Sequence, residues 1–216
     1  VSEEYLKKAT AAYSSDQAIG CYCNVTENES IEEAISSACL YFGGLDIVVH
    51  SAGLAISKAI THTSEADWEL LQGVLVKGQF LLSKAAAEIM RKQNLGGNIV
   101  NIASKNGLVS GPNNVGYGTA KAAQMHMSRL LAAELGPDQI RVNTVNPDGV
   151  IIGSKIWEGE WAEGRAKAYG ITVEELPEFY AKRNLLHKII KPEDIANGVF
   201  AFLEILDKST DRKSVV

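Results

Sequence analysis

Tyr117 and Lys121 stand four residues apart in the stretch Tyr117-Gly-Thr-Ala-Lys121. In a helix that spacing puts both side chains on one face. A free tyrosine titrates near pH ~10 and is a poor base at neutral pH. A lysine ammonium beside it favours the phenolate, and each unit of lowering takes about 1.4 kcal/mol of differential interaction. A tyrosine tuned in this way exchanges a proton with an alcohol or carbonyl oxygen. Ser104 closes the apolar run NIVNIAS (98–104). If the run is a parallel strand, its C-terminal end borders the ligand crevice, and the hydroxyl there can hold a substrate oxygen beside Tyr117. Alone, such a tyrosine–lysine pair is more often a half-buried phenol beside a surface cation. The serine at a strand end and the flexible Asn106–Gly116 loop give the pair its weight.

The elements that must position these residues follow from hydrophobic periodicity. A short helix is expected from Ser2 to about Tyr13, with Glu3 and Glu4 in its first turn. Ala18 to Val25 reads as a strand. Thr26 and Glu29 fit a capping box, opening a helix whose inner face is Ile31, Ala34, Ile35 and Ala38 and which Gly43-Gly44 ends. LDIVVH (45–50) is a continuous apolar strand, the pattern of a parallel sheet covered on both faces. Ser64 caps a long helix reaching about Lys92, NIVNIAS follows, and a helix then carries Tyr117 to about Glu134. IRVNTVNP (140–147) is another strand. Asp148 to Lys191 reads as irregular with two short helices, one opened by a Thr172/Glu175 box, and Pro192 starts a last helix to about Leu206. Alternating strands and helices mean βαβ units and one α/β domain over 1–216.

The 216 residues carry a net charge of −5, which argues against nucleic acid and anionic membrane as partners. No apolar run nears the roughly 20 residues of a membrane span. Cys21, Cys23 and Cys39 are an odd set without a CxxC pair, expected as free thiols in a reducing, cytoplasmic setting. Cys21 and Cys23 read as same-face side chains of a buried strand. His50, His62, His126 and His187 are scattered singly, and no metal site is expected.

Five segments together, Asn24-Val25, DIVVHSAG (46–53), NIAS (101–104), YGTAK (117–121) and RVNTVNP (141–147), resemble the short-chain dehydrogenase/reductase family in order and spacing. The resemblance implies a doubly wound Rossmann sheet and NAD as cofactor, with NADP also possible. It implies Tyr117 as general acid/base, Ser104 as the orienting hydroxyl, and Lys121 as a second contact to the nicotinamide ribose. Asn24 and Val25 match the pair that contacts adenine. Ser51, Ala52 and Gly53 match a turn along the cofactor, and Pro147, Asp148, Gly149 and Val150 match the segment beside the nicotinamide. The segment 148–191 covers a small alcohol or aldehyde substrate, with Lys105, Ser154, Trp157 and Trp161 as contacts, Tyr169 and Tyr180 as further wall, and Lys155, Arg165 and Arg183 as possible partners of an anionic group. Pairing of the 65–92 helix and the Tyr117 helix into a homo-oligomer is a further expectation.

The departures are specific. Leu75 stands where the family often has a relay asparagine. Asp148 replaces a glycine and places a carboxylate that favours the cationic ring of NAD⁺. No glycine-rich phosphate turn precedes Cys21, and STDRKSVV (209–216) stops where a last strand is usual. The chain is therefore expected to lack the first βαβ unit and the last strand, either as a piece of a longer protein or as a chain that has lost part of its cofactor site. The stretches 51–60, 70–86, 101–137 and 153–186 resemble one branch, the dehydrogenase half of bifunctional rhamnulose-1-phosphate aldolase/dehydrogenases. That branch implies NAD-dependent lactaldehyde oxidation in rhamnose breakdown, fused to an upstream aldolase. The alternatives are a dehydrogenase for another sugar or polyol, or a degenerate, non-catalytic oligomerisation module.

Overall fold

Strands form where β-branched residues run between glycine breaks, and helices where small and long aliphatic residues recur every three to four positions. The computed structural model describes residues 3–154, 157, 159–205, 210 and 213–215. Helix α1 (Glu3–Thr10) and helix α2 (Asn28–Phe42) precede strand β1 (Ile47–His50). Helix α3 (Glu65–Leu71), a π-helical turn (Gln72–Lys77) and helix α4 (Gly78–Gln93) run on from one another without a break, and a turn at Asn94 leads to strand β2 (Gly97–Ile102). Helix α5 (Val115–Leu135) leads to strand β3 (Ile140–Asn146). Helices α6 (Glu160–Tyr169), α7 (Leu176–Arg183) and α8 (Pro192–Phe200) follow, and strand β4 (Lys213–Val215) comes last.

The four strands are parallel in the order β1-β2-β3-β4, with Val48 opposite Ile99 and Ile99 opposite Val142. One face packs Ile99 and Val142 against Ala86, Met90, Ala132 and Leu135 of α4 and α5. The other packs Val100 and Val145 against Phe202, with Ile195 and Val199 of α8 alongside. β2 and β3 are thus buried on both sides, as their unbroken apolar runs require. No described helix is long and apolar enough to cross a membrane.

Several expectations change here. Ala18–Val25 forms no strand. In a doubly wound order the third and fourth strands are separated by two others, so this segment has no described neighbour to pair with. Cys21 is accordingly exposed and Cys23 half-buried, not members of a buried strand. β1 is covered on one face only: Val48 is buried, while Ile47 and Val49 are exposed. The Thr26/Glu29 box does not form. Asn24 Oδ1 accepts from the backbone N–H and the hydroxyl of Thr26 instead, at 3.1 and 2.9 Å, and α2 starts at Asn28. Such an Asx turn competes directly with a cap. Glu175 accepts from the Thr172 N–H at 2.8 Å, half of the second box, but α7 begins at Leu176. A last strand is present: β4 pairs with β3 over Thr144–Asn146. The Ser64 cap is as expected, a full capping box with Asp67.

Candidate active site

Ser104 follows β2 in extended conformation (φ −171°, ψ 152°), between two backbone bonds that prolong the sheet. Ala103 N–H donates to Val145 O and Lys105 N–H to Pro147 O, both at 2.9 Å. The Ser104 Oγ accepts from Asn106 N–H at 3.2 Å and faces Tyr117 in the first turn of α5. One turn on, Lys121 Nζ donates to Ile102 O at 3.0 Å and lies 5.6 Å from the Tyr117 ring centroid. One lysine thereby ties α5 to the end of β2. Gly107 makes this possible: a Cβ there would come within 2.8 Å of the α5 backbone at Lys121 and Ala122.

Burial dominates the electrostatics. It pushes the Tyr117 phenol above its ordinary range, and the Ser104 hydroxyl and the Arg165 charge pull it back only in part. Burial also pushes Lys121 down to about 7. The expected lowering of Tyr117 by a full lysine ammonium is therefore not what the structure has, because both groups are desolvated together. His50, at the end of β1, is pushed down to about 4 by burial and then by Lys121, and neither ring nitrogen has a hydrogen-bond partner.

Leu75 is fully buried in the π-helical turn, packed with Leu71, Tyr117, Ala120 and Trp161. The turn is marked by the Gly78 N–H bonding to Gly73 O, five residues back. Behind it lies a polar network that the sequence reading missed. Gln124 Nε2 donates to Leu75 O at 2.8 Å, Gln79 Nε2 donates to Gln124 O and Ser128 Oγ, and Asn101 Nδ2 donates to Ser128 Oγ. The only signal was position: Gln124 and Ser128 share a helical face close to that of Lys121.

A cavity of about 490 Å³ opens over Ser104, Tyr117 and Lys121. Of the sequence candidates, Ser51, Gly53, Pro147, Asp148, Val150, Ser154, Trp157 and Trp161 also line it. Asn106, Ile102, Pro192 and Ile195 line it without having been foreseen. Ala52 is absent from the lining. Gly149 sits in a small neighbouring crevice against Tyr180. Asn24 and Val25 lie elsewhere: the Asn24 side chain serves its own turn, and Val25 packs on Gly78. Lys105 is not a free substrate contact, since its Nζ meets Asp148 Oδ2 at 2.6 Å. The Asp148 carboxylate is offset by the same bond, which weakens its expected pull on a cationic ring. Lys155 lies outside the described residues. No described group of His, Cys, Asp and Glu residues could hold a metal.

The cavity fits the nicotinamide end of a dinucleotide. Its walls are apolar (Ile102, Pro147, Val150), Lys121 and Ser51 offer polar contacts, and Gly53 lets its loop pack closely on Leu75, where a Cβ would come within 3.3 Å. No described residues form a phosphate-binding turn, so the fit stops at that end.

Comparison with known proteins agrees with this geometry. The family described as enoyl-(acyl carrier protein) reductase matches residues 1–209. An uncharacterized oxidoreductase of Bacillus subtilis, YuxG, is 44% identical over 191 residues, 88% of this chain but 28% of that protein, so the chain spans under a third of this relative. Sorbitol-6-phosphate 2-dehydrogenase of Erwinia amylovora superposes with a TM-score of 0.90 at 25% identity, covering 99% of this chain and 83% of that one. A structure of ElxO with NADP bound superposes with a TM-score of 0.81 at 25% identity, over 100% of this chain and 84% of that one. With Ser104, Tyr117 and Lys121 around one cavity at the end of a parallel sheet, the chain belongs to the short-chain dehydrogenase/reductase family of oxidoreductases.

Proposed function

We propose that this chain is the catalytic part of an NAD(P)-dependent dehydrogenase acting on a small hydroxylated substrate, an alcohol, polyol or aldehyde. The observation that carries the reading is the placement of the Ser104 hydroxyl and the buried Tyr117 phenol at one cavity mouth, with Lys121 one turn behind. The nicotinamide, when bound, accepts or donates the hydride. Tyr117 Oη takes the proton from, or returns it to, the substrate oxygen. Ser104 Oγ donates a hydrogen bond to that oxygen and fixes its direction. Lys121 anchors the tyrosine's helix to β2 and offers Nζ to the cofactor ribose. Pro147 and Val150 wall the ring, and Trp157, Trp161 and Ser154 border the substrate.

Lactaldehyde, implied by the resemblance of 51–60, 70–86, 101–137 and 153–186 to the aldolase/dehydrogenase branch, is the first substrate to try. Fusion to a further domain, an aldolase on this reading, is in line with a relative nearly three-quarters of whose length lies outside the match. Self-association through α4 and α5 is supported by exposed Leu70, Phe80, Val115 and Leu130 on those helices and the adjoining α3. The experiment is cofactor reduction, followed by nicotinamide absorbance, with NAD⁺ and NADP⁺ against lactaldehyde, glycerol and C4–C6 polyols. Tyr117→Phe is expected to cut kcat by roughly 10²–10⁴-fold while leaving the melting temperature in place. Undiminished turnover in that variant removes Tyr117 from the chemistry.

A further inference from the structure

A second cavity, of about 200 Å³, adjoins the first and shares Asn106, Asp148, Trp157 and Trp161 with it. Its walls carry two arginines. Arg165 is 4% exposed, and its guanidinium lies over the Trp161 ring at 4.7 Å. Its Nη1 donates to Pro112 O at 3.3 Å, its Nε has no hydrogen-bond partner, and no carboxylate among the described residues pairs with it. Arg183, exposed, lies over the Tyr180 ring at 4.5 Å. The acid in the same wall, Asp148, is already held by Lys105 at 2.6 Å. The chamber is therefore cationic, with one guanidinium desolvated and lacking a counter-ion.

A buried charge without a partner is costly, and arginine cannot shed its proton to escape that cost. Its planar fork matches a carboxylate or a phosphate in two-point contact. The Trp161 ring is also 5.6 Å from the Tyr117 ring, so one indole touches both the cation and the tyrosine. We propose that this chamber is an oxyanion subsite, in which Arg165 and Arg183 hold a carboxylate or phosphate on the same molecule whose hydroxyl or carbonyl meets Tyr117 and Ser104. The proposal rests on the dehydrogenase reading and selects within it. A neutral three-carbon aldehyde leaves both guanidinium groups unused, whereas a hydroxy acid or a phosphorylated polyol engages them. The field of the two arginines is felt locally. Burial pulls the Tyr169 phenol up, but its hydrogen bond with Tyr180, the charges of Arg165 and Arg183 and a hydrogen bond with Arg165, a neutral partner that leaves the cation without a counter-ion, outweigh this and hold it below the ordinary tyrosine value.

The test uses the full-length protein that carries this chain and has two arms. In the first, tryptophan emission is titrated with inorganic phosphate and separately with acetate, at constant ionic strength and without cofactor. Trp157 and Trp161 line both cavities, so a saturable change is expected from at least one anion. Arg183→Met, at an exposed position that does not endanger folding, is expected to weaken it at least about tenfold, and Arg165→Met further. In the second arm, kcat/KM is compared across sorbitol, gluconate, sorbitol 6-phosphate and lactaldehyde. An anionic member is expected to exceed its neutral parent at least about tenfold, with the ratio collapsing toward one in Arg183→Met. Which anion leads, carboxylate or phosphate, names the substrate group. Turnover of neutral compounds without a saturable anion response overturns the subsite and leaves the dehydrogenase reading intact. Saturable binding lost in Arg183→Met, in a protein that oxidises nothing in the panel, supports the subsite and overturns the dehydrogenase reading instead.

Discussion

The two walls that meet at Trp161 bury a cation in different ways. On the β2–α5 wall, Lys121 has a single described hydrogen-bond acceptor, the Ile102 carbonyl, and burial takes it down to about 7. On the α6 wall, Arg165 lies on an indole face, and a guanidinium as a chemical group does not titrate in the range where proteins work. The first cation titrates where an enzyme works, so it can follow the proton that moves through Tyr117. The second is a fixed charge, suited to holding something rather than reacting. The supports differ too. The lysine sits on a 21-residue helix braced by the Gln79–Gln124–Ser128–Asn101 network, the arginine on a 10-residue helix wedged among Trp157, Tyr169 and Tyr180.

Replacing each cation by a neutral isostere sharpens this contrast most. Lys121→Met is expected to lower turnover at least about a hundredfold. It should also change how stability depends on pH. The folded value of about 7 lies below the unfolded lysine value near ~10.4. Between the two the unfolded chain holds the extra proton, so the native protein gains stability as pH rises through that window, by at most roughly 5 kcal/mol. Lys121→Met should erase that rise and be relatively more stable below pH ~7, as read from denaturant midpoints at several pH values. Arg165→Met should leave the slope in place. A slope that both variants share would break the distinction between a titrating and a fixed cation.

The β2–α5 wall was legible in the sequence, and the other wall only by its composition. Tyr117, Lys121 and Ser104 sit on regular elements, where a spacing of four or a strand end fixes position, and the structure brings them together. The chamber of Arg165, Arg183 and Tyr180 is assembled by two short helices, α6 and α7, whose placement depends on partners far away in sequence, such as Pro112 for Arg165. No local period records such contacts. The misread elements share one cause: local signals were outbid by neighbours. Asn24 took the Thr26 groups that a capping box needed, the Ala18–Val25 run had no strand beside it, and Asp148 was claimed by Lys105. Leu75 was read as a gap in a proton relay. In the structure its side chain fills the core beside Tyr117, while its carbonyl is taken by Gln124.

Leu75→Ala tests how far the tyrosine's rigidity depends on that packing. A fully buried leucine in contact with Leu71 and Tyr117 should cost about 2–5 kcal/mol on truncation. The midpoint of denaturation reports the loss, and a cost under about 1 kcal/mol would mean the π-helical turn collapses freely around the void.

His50 offers a smaller effect on the acid side. Its folded value, about 4, lies below the unfolded histidine value near ~6.5, so the unfolded chain takes up a proton first as pH falls. Stability contributed by the neutral ring is full above pH ~6.5 and is lost progressively down to about 4, by up to roughly 3 kcal/mol. His50→Leu should flatten stability across that interval, and an unchanged acid slope would place the loss on carboxylates instead.

The smallest expected effect is at the salt bridge where the two cavities meet. Asp148 is held by Lys105 at 2.6 Å, and both side chains are mostly shielded from solvent. A paired carboxylate exerts little net field on a nearby cationic ring, because the ammonium cancels most of it. Asp148→Asn should therefore shift the ratio of NAD⁺ to NADH affinity by less than about threefold. The change should appear instead in the Arg165–Arg183 chamber, where a freed Lys105 adds a third cation and strengthens phosphate binding. A large change in the cofactor ratio with no change in phosphate binding would mean that Asp148 acts on the nicotinamide side, and would move the boundary between the two walls from Trp161 to the salt bridge.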